Sequence, residues 1–311
     1  MTTAPLEPPA PDQFTFIRKK HLWRWVAGIV VVALVAALVY SIATNPRFGW
    51  PIVAEFFFSP AVVAGIGITL FLTVVSMIIG VLLGLLLAVM RLSHNPVVSQ
   101  VAHGYVALFR GTPVLVQLLI WFNLAALYPV ISFGIPGVAL NANQLITPLL
   151  AGILGLGLNE AAYMSEIIRA GIISVPSGQH EAASALGLNR RQGMAKVILP
   201  QAMRVIIPPT GNEFIGMLKS TSLVSVLSVA DLLYSAQIIY SQNLQVIPLL
   251  MVASIWYIIL TTIFNFGQGY VERYYGRGSG PSTQKTVWSR IRKIFQTHAP
   301  EALTPLKDTR S

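Results

Sequence analysis

The chain has 311 residues, of which 54% are hydrophobic and only 10% charged, against about 25% charged in an average soluble domain; this excludes a soluble globular protein and indicates an integral membrane protein. A formal net charge of +10 does not indicate nucleic-acid binding here, because no basic groove interleaved with aromatic residues accompanies it. There is no cysteine, and the five histidines, His21, His94, His103, His180 and His298, are scattered, which excludes disulfides and leaves no metal-ligating pair at helical spacing.

All but Arg47 and Lys219 of the 21 lysines and arginines fall in four places: the N-terminal tail, the 91–111 connection, the 167–204 loop and the C-terminal tail from Arg273. Apolar segments separate them, the alternation that the positive-inside rule predicts for cytoplasmic segments.

Residues 1–24 read as a disordered cytoplasmic tail, rich in proline over its first 17 positions and closing on Arg18, Lys19, Lys20 and Arg24. The apolar run from about Val26 to Ala43 follows. A cleaved signal peptide shares that charge order, but Ala-x-Ala-like sites are poorly placed and the run is long enough to cross ~30 Å of hydrocarbon. The reading is a retained first helix with its N-terminus inside, followed to residue 60 by an external connection in which Trp50 and Phe56 to Phe58 are interfacial anchors.

A second span runs from about Ala61 to Met90 and contains Gly80-x-x-x-Gly84, a pattern that permits close helix approach or is ordinary apolar packing. Arg110-Gly111-Thr112-Pro113 opens a third span to about Ile131, with Pro113 in a first helical turn and Arg110 an anchor at the inner lipid interface. The 132–145 connection carries no charge, as expected outside.

The fourth span, from about Leu145 to Ile168, contains Asn159 and Glu160. Burying Glu160 in hydrocarbon costs about 2.5 kcal/mol or more, so it should face the bundle interior or a wet cavity, as a hydrogen-bonding residue of the bundle or a pathway residue. Glu166 and Arg169, three apart, are expected to pair at the inner end.

Residues 173–204 form the most water-compatible interior stretch. Ser177 is expected to cap a short helix ending at Gly187, and Asn189 to cap a second one running to Pro200, a helix-turn-helix presenting Glu181, Arg190, Arg191 and Lys196 to water. From about Val205 to Asp231 the chain crosses outward again, through Pro208, Pro209, Gly211 and Ser220-Thr221-Ser222. Breakers and polar groups such as Asn212, Glu213 and Lys219 are tolerated there only in a segment that lines a cavity or is covered by protein. After a charge-free external turn, Ser235 to Gln245, a last span runs from about Val246 to Phe266. Residues 276–311 form a basic cytoplasmic tail, within which Val287 to Phe295 can make a short amphipathic helix. The fold expected is all-α, with six transmembrane helices and both termini cytoplasmic.

Glu181-Ala182-Ala183, Gly187 and Val197-Ile198-Leu199-Pro200 resemble the "EAA" loop of permease subunits of ATP-binding-cassette importers. Phe109-Arg110-Gly111-Thr112-Pro113-Val114-Leu115-Val116-Gln117, Gly178-Gln179, Pro200-Gln201-Ala202 and Lys219-Ser220-Thr221-Ser222-Leu223 narrow the resemblance to the polar amino acid, histidine/glutamine-type branch. The likeness covers roughly residues 60–275, with mild departures at Ser220 and Asp231.

The resemblance implies a five-helix permease core over 61–275, one extra N-terminal helix over 25–60 and a coupling loop over 173–204, in a prokaryotic cytoplasmic membrane. Glu181, Ala182, Ala183, Gly187, Leu199 and Pro200 would couple the chain to a separate ATPase subunit, with Arg110 a second candidate contact. Glu181 would satisfy loop backbone donors or pair with a basic group of that partner. The solute path would lie between two permease subunits, identical or homologous, lined by Asn159, Glu160, Glu213 and Lys219, with the amino acid delivered by an extracytoplasmic solute-binding protein. No Gly-x-x-x-x-Gly-Lys-Ser/Thr loop is present, so the chain itself is expected to need no cofactor and to catalyse nothing, ATP being bound by the partner.

Two rivals are weaker. An ATP-independent secondary transporter or channel for small polar solutes would typically show internal repeats with paired broken helices, and none is evident. A membrane zinc protease fails because His180-Glu181-Ala182-Ala183-Ser184 has serine where the second histidine belongs.

Overall fold

A computed structural model describes residues 22–132 and 140–275. The tail expected over residues 1–17, its basic close before Leu22, the tail from 276 and the amphipathic helix expected over 287–295 lie outside the described residues. Helix α1 (Leu22–Thr44) is apolar on every side from Trp25 onward and largely exposed there. In lipid the backbone must satisfy its own polar groups, which makes such a run helical whatever its β-branched content. Its end is tied to the rest of the chain by the Trp50 indole, which donates to the Ile42 carbonyl at 3.1 Å.

Asn45 caps a 3₁₀ turn, Pro46–Phe48, and α2 (Trp50–Phe56) leads to α3 (Pro60–Arg91), which begins on its proline. Phe57 is not a free lipid anchor: it stacks on Trp256 at 4.8 Å while the Trp256 indole donates to the Phe57 carbonyl at 2.8 Å.

The 91–111 connection is itself a helix, α4 (Pro96–Gly111), capped by Asn95. The third span is accordingly no single helix. The chain turns through 102° between α4 and α5 (Val114–Phe122), and a short α6 (Leu124–Leu127) follows. The two-residue strands Val130–Ile131 and Leu140–Asn141 pair antiparallel before α7 (Ala142–Leu145). Thr147 then caps α8 (Pro148–Ile173), a helix about 39 Å long.

Helix α9 (Ser177–Ala185) is followed by α10 (Arg190–Gly193), a π turn (Met194–Ile198) and α11 (Leu199–Ser220). Ser177 does not cap α9; it is the first helical residue, and Pro176 occupies the cap without a side-chain bond. Nor does Pro200 end a helix. The Leu199 N–H reaches back five residues to Met194 O, and this wider turn admits a proline that cannot donate to the residue four before it.

Pro208 and Pro209 likewise leave α11 unbroken. The Gln268 amide donates to Pro208 O at 2.7 Å, tying α13 to this stretch of α11. A 3₁₀ segment (Thr221–Leu227) leads to Asp231, which caps α12 (Leu232–Asn243), and α13 (Val246–Tyr275) completes the described chain. The stretch expected as an external turn, 235–245, is thus mostly helix α12.

Helix α8 is the axis of the packing, with α3, α4, α5 and α11 around it. Gly80 and Gly84 serve close approach, not generic packing: a methyl at Gly80 would strike the Glu160 side chain, and one at Gly84 would lie 2.6 Å from Met164 Cβ. Leu72, Leu118, Leu156, Met164 and Val224 form the core on this side, while Val62, Leu218, Leu232, Leu249 and Val252 form a second one joining α2, α12 and α13 to α3.

Among the described residues, α1, α3 and α13 are long and apolar enough to cross a membrane unaided. The α4–α5 pair and the run from α10 through α12 meet the same standard as bent pairs. By length and apolarity alone these account for up to five of the six crossings expected, the remaining one being the fourth, α8. Helix α8 falls outside that group; it carries Asn159, Glu160, Glu166 and Arg169 and is enclosed by its neighbours, so its composition is that of an interior helix.

Candidate functional site

The site begins with the α4–α5 corner. A helical carbonyl at Phe109 would receive the N–H of residue 113, but residue 113 is proline and has none. Two side-chain amides take its place: Asn159 Nδ2 at 2.9 Å and Gln117 Nε2 at 2.9 Å. Gln117 also donates to Thr112 O and Thr112 Oγ1, and its own Oε1 accepts from Asn159 at 3.1 Å. The corner is thereby fastened to α8.

Beside it lies a cavity of about 470 Å³. Helix α8 contributes Leu156, Asn159, Glu160 and Tyr163, and α11 contributes Glu213, Gly216, Met217 and Ser220. Spacings of three and four put each set on one helical face. The corner adds Arg110 to Val114. Glu160 is only 4% exposed, and its Oε1 has no hydrogen-bond partner. A methyl on Gly216 would meet nothing, so this glycine opens the cavity.

Below Glu160 on α8, toward the end where the basic residues gather, Glu166 receives three guanidinium groups: Arg91 Nη1 at 3.0 Å, Arg110 Nη1 at 3.2 Å and Arg169 Nη2 at 3.1 Å. The expected Glu166–Arg169 pair forms, within a larger cluster. Arg110 also lies 5.2 Å from the Tyr163 ring centroid, within cation–π range. It therefore faces the cavity and α8, where the sequence suggested an anchor in the lipid interface.

Of the four residues expected along the solute path, Asn159, Glu160 and Glu213 line this cavity and Lys219 does not; Lys219 is exposed beyond it. Asn159 directs its amide at the corner, to Phe109 O and Gln117 Oε1, which gives it a bracing role. Sequence reasoning missed Gln117, Tyr163 and Ser220 as site residues. For Gln117 a signal existed: Pro113 four residues after Phe109 announces a carbonyl in need of a side-chain donor.

The expected coupling residues lie elsewhere, Glu181, Ala182 and Ala183 on α9, Gly187 in the turn after it, and Leu199 and Pro200 at the start of α11. Helix α9 ends in a Schellman motif: Leu188 N donates to Ala183 O, Gly187 N to Ser184 O, and Gly187 has φ +74°. Asn189 opens α10 with a capping box shared with Gln192. Ala183 is buried against Gly193, whereas Glu181, Ala182, Gly187, Leu199 and Pro200 are exposed. Ala183 thus packs the loop internally and Ala182 is the alanine on its surface. Gln201 Nε2 donates to Gln179 Oε1 at 3.1 Å, joining α9 to α11.

Among the described residues no cluster of histidine, aspartate and glutamate could hold a metal ion. What the arrangement can do is hold a small polar molecule of mixed charge inside an apolar bundle, between helices of which one, α11, runs on into the exposed loop.

Residues 80–277 match the family described as binding-protein-dependent transport system inner membrane component. The arginine transport system permease protein ArgU of Corynebacterium glutamicum is 47% identical over 84% of this chain and 82% of its own length. The L-cystine transport system permease protein TcyB of Bacillus subtilis is 38% identical over 72% of this chain and 90% of its own. The solved structure of an amino acid ABC transporter with histidines has a chain 38% identical to this one, with a TM-score of 0.62, covering 71% of this chain and 97% of that one. The MetNI methionine ABC transporter, at 21% identity and a TM-score of 0.53 over 69% of this chain and 96% of that one, shares the fold. The chain belongs to the binding-protein-dependent transport system inner membrane components and, within them, to the permeases of amino acid ABC transporters.

Proposed function

We propose that this chain is the path by which an amino acid with a cationic side chain crosses a prokaryotic cytoplasmic membrane. In this reading both termini and the basic end of the bundle face the cytoplasm. A second permease subunit, a separate ATPase and an extracytoplasmic solute-binding protein complete the importer. The observation that carries the reading is the cavity of about 470 Å³ in which two carboxylates, Glu160 and Glu213, face one guanidinium, Arg110. Its volume falls in the range of small-molecule sites, and an excess of negative lining favours a solute with an extra positive charge. The arginine permease at 47% identity supports the same class.

Coupling follows from chain continuity. The exposed loop around Glu181 and Gly187 is the docking surface for the ATPase, which binds the ATP. Helix α11 starts in that loop's π turn and carries Glu213 and Gly216 into the cavity. Displacement of the loop moves α11 against α8, so the two carboxylates approach or separate as ATP is bound and hydrolysed.

The test is a pull-down of the tagged chain with the ATPase subunit in mild detergent, comparing wild type with Gly187→Asp at equal expression, followed by uptake of labelled L-arginine and L-glutamate into proteoliposomes. Retention of the ATPase by wild type alone, with uptake of arginine over glutamate, is expected. If both proteins bind the ATPase equally, or neither does, the loop is not the docking element; uptake of glutamate in preference to arginine would reverse the substrate assignment.

A further inference from the structure

Helices α11 and α13 carry helix-weakening residues at one level. On α11, Pro208 and Pro209 lie inside the helix, so neither the Arg204 nor the Val205 carbonyl can receive the backbone N–H four residues on. Facing them on α13 is Gly267-Gln268-Gly269, with two glycines in the interior of a 30-residue helix. Each weakens the helix relative to alanine. Packing within the chain requires neither, since a methyl on Gly267 or Gly269 would meet nothing within 4 Å.

Gln268 joins the two weak points. Its Nε2 donates to Pro208 O at 2.7 Å and to Glu272 Oε1 at 3.3 Å. Its amide also fills the space beside Gly211, where a methyl would overlap it. The packing changes sides around this level. One turn outward, the Phe214 and Phe264 rings meet at 4.9 Å and clamp α11 to α13; Phe264 is the last residue of α13 packed on the second core. Inward of the prolines α11 is keyed into α8 instead: Ala202 and Ile206 are buried, and a methyl on Gly171 would strike Ile206. The outer arm of α11 is thus clamped to α13 and carries Glu213 and Gly216 at the cavity, while the inner arm rides on the end of α8 that leads into the exposed loop.

We propose that Pro208, Pro209, Gly267 and Gly269 form one hinge through both helices, with Gln268 the positioning residue that keeps the two bends in register. Displacement of the exposed loop carries the inner arm of α11 and the end of α8, and the outer arms of α11 and α13 swing together across α8. An α13 without the glycines, clamped at Phe264 and bonded at Gln268, would hold α11 straight and stop the stroke short of the cavity. This inference rests on the reading of the loop as the ATPase docking surface.

The experiment uses the complete importer, the permease with its ATPase and solute-binding protein, in proteoliposomes, with ATP hydrolysis and labelled L-arginine uptake measured on the same sample. The double variant Gly267→Ala/Gly269→Ala adds no clash and should melt no lower than wild type. Each alanine favours the straight helix by roughly two- to fivefold, so uptake should fall by about 5- to 25-fold while ATP hydrolysis stays within about twofold of wild type. The ATP consumed per arginine therefore rises. Gln268→Leu keeps the bulk, removes the bond and should uncouple in the same way. Gly211→Ala should lower the melting temperature by displacing Gln268; adding Gln268→Ala should restore the melting temperature but not the coupling, a separation that a purely structural contact would not give.

An alanine pair that leaves the ATP consumed per arginine unchanged would show that α13 does not bend there, and the inference is then wrong. It is equally wrong if the pair sheds the ATPase or a second permease subunit, because the glycines are then contact points. Wild type that hydrolyses ATP without taking up arginine defeats the functional reading and the hinge with it, whereas failure confined to the alanine pair defeats the hinge alone.

Discussion

Asn159 on α8 donates its side-chain amide at 2.9 Å to the Phe109 carbonyl on α4, the group that Pro113 leaves without a backbone donor. This bond crosses from the corner to the central helix, so its loss should loosen the corner. Asn159→Ala should lower stability by about 1 kcal/mol, the scale of an interhelical hydrogen bond in a membrane protein. Asn159→Asp should be worse, since a carboxylate there faces the Phe109 and Gln117 oxygens with nothing to donate. Thermal unfolding in detergent should rank wild type above alanine and alanine above aspartate; equal midpoints would remove the bracing role.

Two glycines separate packing from transport. Gly84→Leu drives a side chain into Met164 and the Ser165 backbone, and should reduce yield and melting temperature through overpacking of about 1–3 kcal/mol. At Gly216 the same change enters open space, so folding should be near wild type while uptake falls at least about tenfold because the cavity is filled. Side-by-side melting and proteoliposome uptake measure both, and a Gly216→Leu protein that transports normally would place the solute elsewhere.

Glu160→Gln and Glu213→Gln each remove one negative charge from the cavity. Both should express and assemble with the ATPase, and both should weaken uptake of a cationic amino acid by roughly tenfold or more, the scale of one charged hydrogen bond. Unchanged uptake at wild-type expression would take either residue out of the path.

Gly187 tests the loop by conformation alone. Its φ of +74° lies in the left-handed region, and a Cβ there meets no neighbour. Gly187→Asn should retain ATPase binding, because asparagine visits this region readily, while Gly187→Val should lose it through about 1–2 kcal/mol of local backbone strain. Equal binding by both variants in a detergent pull-down would show that the turn geometry is dispensable.

The apolar length of α1, the cap of α10 at Asn189 and the left-handed Gly187 were legible in the residues, because each depends on a neighbour within a few positions or on a continuous run; Gly80 and Gly84 left close approach and ordinary packing open. The same local logic failed at Pro200, Pro208 and Pro209. Proline normally ends a helix, and here a π turn admits Pro200 while α11 runs on unbroken through Pro208 and Pro209. The expected external turn failed likewise, since its polar, charge-free stretch is the helix that Asp231 caps.

By itself the sequence determined that this is a helical membrane permease with a water-facing loop: hydrophobicity, charge placement and short motifs act through the solvent and the nearest turns. Only the tertiary structure decided which polar residues share one space. The 102° corner between α4 and α5 brings Arg110 to Glu166 and the cavity and commits Asn159 to the corner, while the face of α11 that admits Glu213 leaves Lys219 outside. Such meetings depend on the angles between helices distant in sequence, and those angles are set by packing across the whole bundle.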